Sequence, residues 1–447
     1  MRFPTLLSAL GLAGLAVGAP SEGLRSLVSR QAPGAQNVVY WGQNGGGTVE
    51  NNDLASYCTS TSGIDVIVLA FLYEFGRGIN TPSGIIGQSC FISTAGQGQN
   101  CEALTSAIAT CKAAGVKVIL SLGGAAGSYS LQSQADAEAI GQYLWDSYAN
   151  SGNTTVQRPF GNNFVDGFDF DIEVNDGSSQ YYQYMIAKLR SNFAKDPSHT
   201  YYITGAPQCP IPEPNMGTII SNSVFDYIWV QFYNNNFYSV PCALGINGDA
   251  AFNYNNWTAF IANTPSRNAK LFIGVPAAPL AANGGPGGSD YYASPDQLAT
   301  IVNQYKGDAH FGGVMMWSAG FSDSNVNNGC TYAQQVKNIL LHGSPCSSGP
   351  PVGTTRPTPT PTTSTSPSTA PTTAPTTAPT GAVPQWGQVS ISFGEFFLFW
   401  FTHRRVLQVA FPCLPSPFCG GIGYTGPTAC APPYTCIFGG AWWSSCH

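Results

Sequence analysis

The fold class this 447-residue sequence predicts is α/β: a (β/α)8 TIM barrel, then a Thr/Pro-rich linker and a small disulfide-rich β module. Three observations predict the barrel. Short β-branched or aromatic runs recur eight times from Val38 onward. Helix-length segments separate many of them, and strands alternating with helices imply parallel β/α units. Glu173, Gly124, Tyr233 and Trp317 fall at or just past the ends of such runs, where barrels of this kind carry their chemistry.

The strand runs are residues 38–41, 66–71, 118–122, 165–171, 201–204, 227–231, 271–275 and 313–317. Residues 102–113, 135–148, 180–193 and 295–305 carry helix-like patterns between them. A barrel domain over 31–346 accommodates all of these. From 347 to 383 the composition turns to Thr, Pro, Ser and Ala. Such repeats bury no core and favour an extended, semi-rigid, O-glycosylated linker. Residues 384–447 form a third segment, rich in Cys and Trp.

Composition narrows the function. Charged residues are 9% of the chain and aromatics 12%, which suits a secreted protein stacking rings on neutral ligands. The net charge of −6 and the lack of a basic cluster argue against nucleic acid. Five scattered His give no metal-ligand spacing, so neither metal nor cofactor is expected. Residues 1–19 read as a signal peptide, with Arg2 before an apolar core at 6–17 that is too short to span a bilayer. Residues 20–30 read as a propeptide ending at Arg30. Thirteen Cys in a secreted chain imply disulfides with one left over. Asn153 and Asn256 head sequons expected on loops.

The most informative stretch is Asp166-Gly-Phe-Asp169-Phe-Asp171-Ile-Glu173. Its alternation reads as a strand, which puts Asp169, Asp171 and Glu173 on one face. Carboxylates crowded there repel, so at least one should hold its proton to higher pH, as a general acid requires. Asp166 falls out of this parity and reads as support for the strand. The ligand order of a calcium loop is absent.

This stretch resembles the active-site signature of the family 18 glycoside hydrolases, the chitinases. Lys117–Gly124 resembles that family's Ser-x-Gly-Gly strand end, and Tyr40-Trp-Gly-Gln43-Asn and Trp229-Val-Gln231-Phe-Tyr233-Asn-Asn resemble the plant and fungal class III members. The resemblance spans roughly 37–341. It implies that Glu173 is the general acid and that Asp171 bonds the substrate's acetamido N–H. It implies that Tyr233 donates to the acetamido oxygen and that Asp169 shares a proton with Asp171. Trp317 would floor the subsite in which the sugar distorts. Gln231 and Gln43 read equally as sugar contacts or as satisfied amides, and Gly124 as cleft wall with one backbone contact to sugar. The resemblance also implies bridges Cys58–Cys111, Cys90–Cys101 and Cys209–Cys242, leaving Cys330–Cys346.

The C-terminal segment resembles a fungal family 1 cellulose-binding module in Pro384–Gln388, in Cys419–Pro427 and in the spacing of Cys430, Cys436 and Cys446. That likeness implies bridges Cys419–Cys436 and Cys430–Cys446 and a flat row of Trp386, Trp442 and Trp443. A planar row matches the face of a crystalline polysaccharide. Residues 389–418 interrupt the module with an apolar run and the odd Cys413. A retained intron and a genuine insertion both fit. The expected partners are chitin and chitooligosaccharides, with cellulose through the module, and the expected state is a monomer clear of membranes. An endo-β-N-acetylglucosaminidase acting on N-glycans and a non-catalytic lectin or inhibitor on the same barrel remain as other readings.

Overall fold

The structure is a computed structural model. It describes residues 34–43, 52–282 and 286–347, and near the C-terminus the backbone of three short strands. Eight parallel strands close on one another: β1 (Gln36–Trp41), β2 (Val66–Gly76), β6 (Lys117–Gly123), β8 (Gly167–Asp171), β9 (Tyr202–Gly205), β10 (Tyr227–Gln231), β11 (Lys270–Pro276) and β12 (Phe311–Trp317). The ladder runs in that order and shuts where β1 pairs with both β12 and β2. Each strand lies within a few residues of a run read from the sequence.

Helices α1 (Glu102–Ala113), α2 (Gln134–Tyr148), α3 (Tyr182–Phe193), α4 (Gly217–Asn222), α5 (Tyr254–Ala262), α6 (Pro295–Tyr305), α7 (Ala319–Ser324) and α8 (Tyr332–His342) follow the strands. Local chemistry sets their ends. Ser294 and Gln297 form a capping box at α6, with Pro in its first turn. Thr331 and Gln334 do the same at α8, which stops at Gly343 in the left-handed conformation, φ 77°. The β1–β2 connection departs from the simple barrel, because its described part holds a short 3-10 turn, Leu54–Cys58, instead of a full helix.

Inside the barrel, Val38, Val66, Val68, Ile119, Trp229 and Met315 pack into one buried cluster. A second departure sits on the rim. Strand β2 runs on past the barrel and pairs with the antiparallel β3 (Ile79–Ile86), which continues into β4 (Cys90–Ile92) and β5 (Gly98–Gln99). The end of β2 also pairs with β7 (Ser128–Ser130). The bridges Cys58–Cys111, Cys90–Cys101, Cys209–Cys242 and Cys330–Cys346 are all present, in the pairing the resemblance implies.

Strands β13 (Val326–Asn327) and β14 (Cys330–Thr331) form a small hairpin before α8. The C-terminal strands β15 (Phe418–Gly420), β16 (Cys436–Gly440) and β17 (Trp443–Cys446) form an antiparallel sheet with β17 in the centre. Phe418, read as the last residue of the insert, opens the first of them. Residues 1–33, the linker from 348, Trp386, Trp442, Cys430 and 389–417 lie outside the described residues, so the signal peptide, propeptide and aromatic row do too. Only the backbone of Cys419, Cys436, Trp443 and Cys446 is described. Asn153 lies on a loop as expected, whereas Asn256 lies in the first turn of α5, beside the buried Trp257. No described helix is long and apolar enough to cross a membrane.

Candidate active site

Strand β8 carries the acidic face. Its alternation turns Phe168 and Phe170 toward the surrounding elements, where Phe168 stacks on Phe193 of α3 and Phe170 meets Tyr182 and Phe225 edge-on. The opposite parity carries Asp169, Asp171 and, just past the strand end, Glu173. Asp166 stays at the strand's start, ion-paired to Lys112 at 3.0 Å and accepting from Val118 N–H at 2.8 Å, so it supports the strand.

Asp169 is fully buried beneath the cleft. Its Oδ2 accepts from the Tyr40 hydroxyl at 2.7 Å and the Ser121 hydroxyl at 2.6 Å, and its Oδ1 from the Thr204 hydroxyl at 2.7 Å. Three hydroxyls from β1, β6 and β9 thus fix one carboxylate. Tyr40 in turn accepts from Trp229 Nε1–H at 2.9 Å.

Above it, Asp171 accepts from Gln231 Nε2 at 3.0 Å. Glu173 accepts from Gln208 Nε2 at 2.9 Å. Burial, then the charges of Glu173 and Asp169, push the Asp171 carboxyl well above the usual range. Burial also raises Glu173, against hydrogen bonds from Gln231, Asp171 and Gln208 that favour its anion. Asp171 and Glu173 hydrogen-bond each other and titrate as a pair. Burial first, then Asp171 and Glu173, hold the Tyr233 hydroxyl protonated. Tyr233 therefore faces the cleft as a neutral O–H donor.

The cleft has a volume of about 620 Å³ and is lined by Gln43, Phe71, Asp171, Glu173, Gln231, Tyr233 and Trp317 among others. Trp317 stacks on Phe71 at 6.0 Å and 16°, which presents an aromatic floor. Gln43 is exposed at the rim, its Nε2 only 3.3 Å from Ala70 O. Gln231 is a different case. Its Nε2 is committed to Asp171 Oδ1 and Ala206 O, both at 3.0 Å, so it orients the acid pair more than it offers a donor to sugar. Gly124 is tied into the wall of the cleft. Its N–H donates to Asp171 O at 2.7 Å and its carbonyl accepts from Tyr129 O–H at 2.8 Å. The N–H is therefore committed to the wall, and only the carbonyl's second lone pair is left to meet a sugar.

Several functional residues escaped the sequence reading. Tyr129 links the two strand ends, because its hydroxyl also accepts from Glu173 N–H at 3.0 Å. Gln208 holds the Glu173 carboxyl. Buried Glu213 secures Gln208 by accepting from its backbone N–H at 3.1 Å, and it also takes the amides of Asn215 and Gly217. Ser121, Tyr40 and Thr204 fix Asp169. Ser121 and Tyr40 lay within motifs already singled out, and strand parity was the signal that would have placed them. Among the described residues, no group of three His, Cys, Asp or Glu could hold a metal.

Fold and site together define a carboxylate enzyme: a parallel barrel with an acid pair at its mouth, Asp171 buried and Glu173 half-buried. Residues 36–294 match the family model "Glycosyl hydrolases family 18", and 419–443 match "Fungal cellulose binding domain". The chain is 70% identical over 443 residues, 99% of each chain, to Endochitinase 2 of Metarhizium robertsii. It resembles the solved ICChI chitinase of Ipomoea carnea at 34% identity and a TM-score of 0.55, covering 68% of this chain and 98% of that one. It also resembles the xylanase and α-amylase inhibitor protein XAIP-II of Scadoxus multiflorus at 31% identity and a TM-score of 0.52, covering 69% and 98%. The chain belongs to the family 18 glycosyl hydrolases.

Proposed function

We propose that this protein is a secreted, monomeric endochitinase that hydrolyses β-1,4 bonds between N-acetylglucosamine units with retention of configuration. One observation carries the mechanism. Among the described residues lining the cleft, Asp171 and Glu173 are the only carboxylates, and they hydrogen-bond each other on one side of it. Glycosidases using two carboxylates set them about 5–9.5 Å apart on opposite faces of the sugar. With no second carboxylate opposite among the described residues, we take the nucleophile to be the substrate's own 2-acetamido oxygen, which attacks carbon 1.

In the first step Glu173 gives its proton to the glycosidic oxygen, the bond to carbon 1 breaks, and the acetamido oxygen closes an oxazolinium ring. Asp171 bonds the acetamido N–H and offsets the positive charge. Tyr233 donates to the acetamido oxygen and holds it in attacking position. Water then adds to carbon 1 and gives a proton to the Glu173 carboxylate, while the bond from carbon 1 to the acetamido oxygen breaks and the acetamide re-forms. The apolar N-terminal stretch and four disulfides support secretion. The C-terminal module would hold the enzyme on insoluble chitin or cellulose.

Identity to Endochitinase 2 favours chitin over N-glycans. The intact acid pair favours catalysis over the inhibitor role named for XAIP-II. Incubation with colloidal chitin, with an N-glycosylated protein as control, tests this. Release of soluble chitooligosaccharides is expected. Cleavage of the glycoprotein alone, or of neither, overturns it.

A further inference from the structure

Glu213 is 8% exposed and takes no part in the steps derived above. It lies between β9 and α4, and its two oxygens do different work. Oε2 accepts the amides of Asn215 at 2.8 Å, of Met216, and of Gly217 at 2.7 Å, which closes the turn into α4. Oε1 reaches back and accepts from Gln208 N–H at 3.1 Å. None of the ion pairs among the described residues includes Glu213.

Capping of α4 accounts for Oε2 alone. A hydroxyl or amide would cap the helix without the cost of burying a carboxylate. What the carboxylate adds is a second acceptor oxygen, and that oxygen goes to Gln208. The Gln208 backbone also bridges to Gln231, whose N–H donates to Pro207 O at 2.9 Å. The Gln208 side chain then delivers Nε2 to Glu173 Oε2 at 2.9 Å. Two more bonds tie the same loop to the connection that follows Glu173. Asn175 Nδ2 donates to Pro214 O at 2.9 Å, and Ser179 Oγ to Asn215 O at 2.8 Å. One buried carboxylate thus joins the entrance of α4 to the residue that grips the acid.

We propose that Glu213 is a positioning residue for the reaction: by fixing Gln208 it sets how firmly the Glu173 carboxylate is held. The proposal rests on the chitinase reading. Burial raises the Glu213 carboxyl to about 7, so on the alkaline side it is ionised, with both oxygens able to accept. That is the side on which loss of the general acid is read. Glu173 is also faced by Asp171 on β8, by Tyr129 on β7, and by Tyr233 and Tyr238 after β10. Tyr238 faces Glu213 as well. The test changes none of these four.

The test reads the alkaline limb of kcat/KM on chitohexaose. Glu213→Gln keeps the shape and one acceptor oxygen. The amides entering α4 outnumber the one at Gln208, so the oxygen stays with α4 and the new amide nitrogen meets Gln208 N–H, donor against donor. Glu213→Asp keeps the charge and can still cap α4, but it is a methylene too short to reach Gln208 as well. With Gln208 loosened, the Glu173 anion is held less well. Both variants should therefore raise the limb by about half a unit, roughly a threefold change in the proton equilibrium. In both, kcat should fall while KM stays unchanged. In a Gln208→Leu background neither should move the limb further, because the link is already cut. Ile219→Val, at a side chain buried in α4, should lower Tm and leave the limb in place. Should the Gln variant fail to fold, the Asp variant carries the same test. A limb that stays, one that moves as far in Ile219→Val, or a full added shift in the Gln208→Leu background overturns the proposal. So does a downward shift in Glu213→Gln, which is what loss of a nearby negative charge gives by itself. An unmutated enzyme inactive on chitohexaose overturns instead the chitinase reading.

Discussion

At the scale of single residues, the site works by holding protons where solution chemistry would not. As the proposed general acid, Glu173 would enter the reaction protonated, and burial raises its carboxyl in that direction. Replacing it with Gln keeps the shape but removes the proton. Glu173→Gln should lose on the order of 10²–10⁴ in kcat while still binding chitooligosaccharides, measured by titration calorimetry alongside turnover. More than a tenth of the original kcat would exclude Glu173 as the acid. Gln208 tests the same group from outside. Its amide favours the anion of Glu173, so Gln208→Leu should raise the carboxyl further. The protonated acid then persists to higher pH, and the alkaline limb of kcat/KM should move up by about one unit, the equivalent of roughly 1.4 kcal/mol. In the same variant kcat should fall, because the anion left after proton transfer has lost a donor. A limb that stays in place or moves down refutes this role.

At the scale of elements, the site depends on strand ends meeting closely. Strand β6 ends at Gly123, with φ 108°, a conformation that L side chains rarely adopt. A Cβ there would lie 2.2 Å from the Asp171 carbonyl oxygen. The glycine therefore lets β6 and β8 converge, and Gly124 N–H then reaches that same carbonyl. Gly123→Ala should cost about 2 kcal/mol in stability through strain and overpacking, read as a lower Tm. It should also lower kcat, because the displaced strand carries Asp171. A variant with unchanged Tm and kcat would show that the approach of the strands is not needed. Tyr129 reinforces the same junction from β7, its hydroxyl placed between Gly124 O and Glu173 N–H.

At the scale of the whole molecule, hydrolysis and attachment are expected to reside in separate modules joined by a linker that buries no core. Trp443→Ala should weaken adsorption to insoluble chitin or cellulose several-fold, with little change in hydrolysis of soluble oligomers. Equal loss of both would show that the modules are coupled. The apolar run at 396–401 would be an aggregation hazard in a secreted protein. Mature protein should therefore lack most of the segment 389–418. Mass spectrometry of its C-terminal peptides decides this, and a peptide spanning 396–401 refutes it. In that event Trp386 is separated from Trp443, and adsorption should be poor even without mutation.

The sequence by itself determined the fold class, the eight strand runs and the acidic face of β8. Each of these is local: periodicity of two or of 3.6 follows from backbone geometry and survives in any context. It also carried Glu173, Asp171 and Tyr233, because their motifs lie within single strand ends. What only the tertiary structure decided is which groups from different strands converge. Tyr40, Ser121 and Thr204 stand at widely separated positions, yet all three donate to Asp169. Gln208 and Tyr129 reach Glu173 from two other connections. Gln231, readable from the sequence as either a sugar contact or a satisfied amide, has its amide nitrogen taken by Asp171 and Ala206 while it still lines the cleft. Hydrogen bonds span about 3 Å, and whether two side chains come that close is fixed by closure of the barrel.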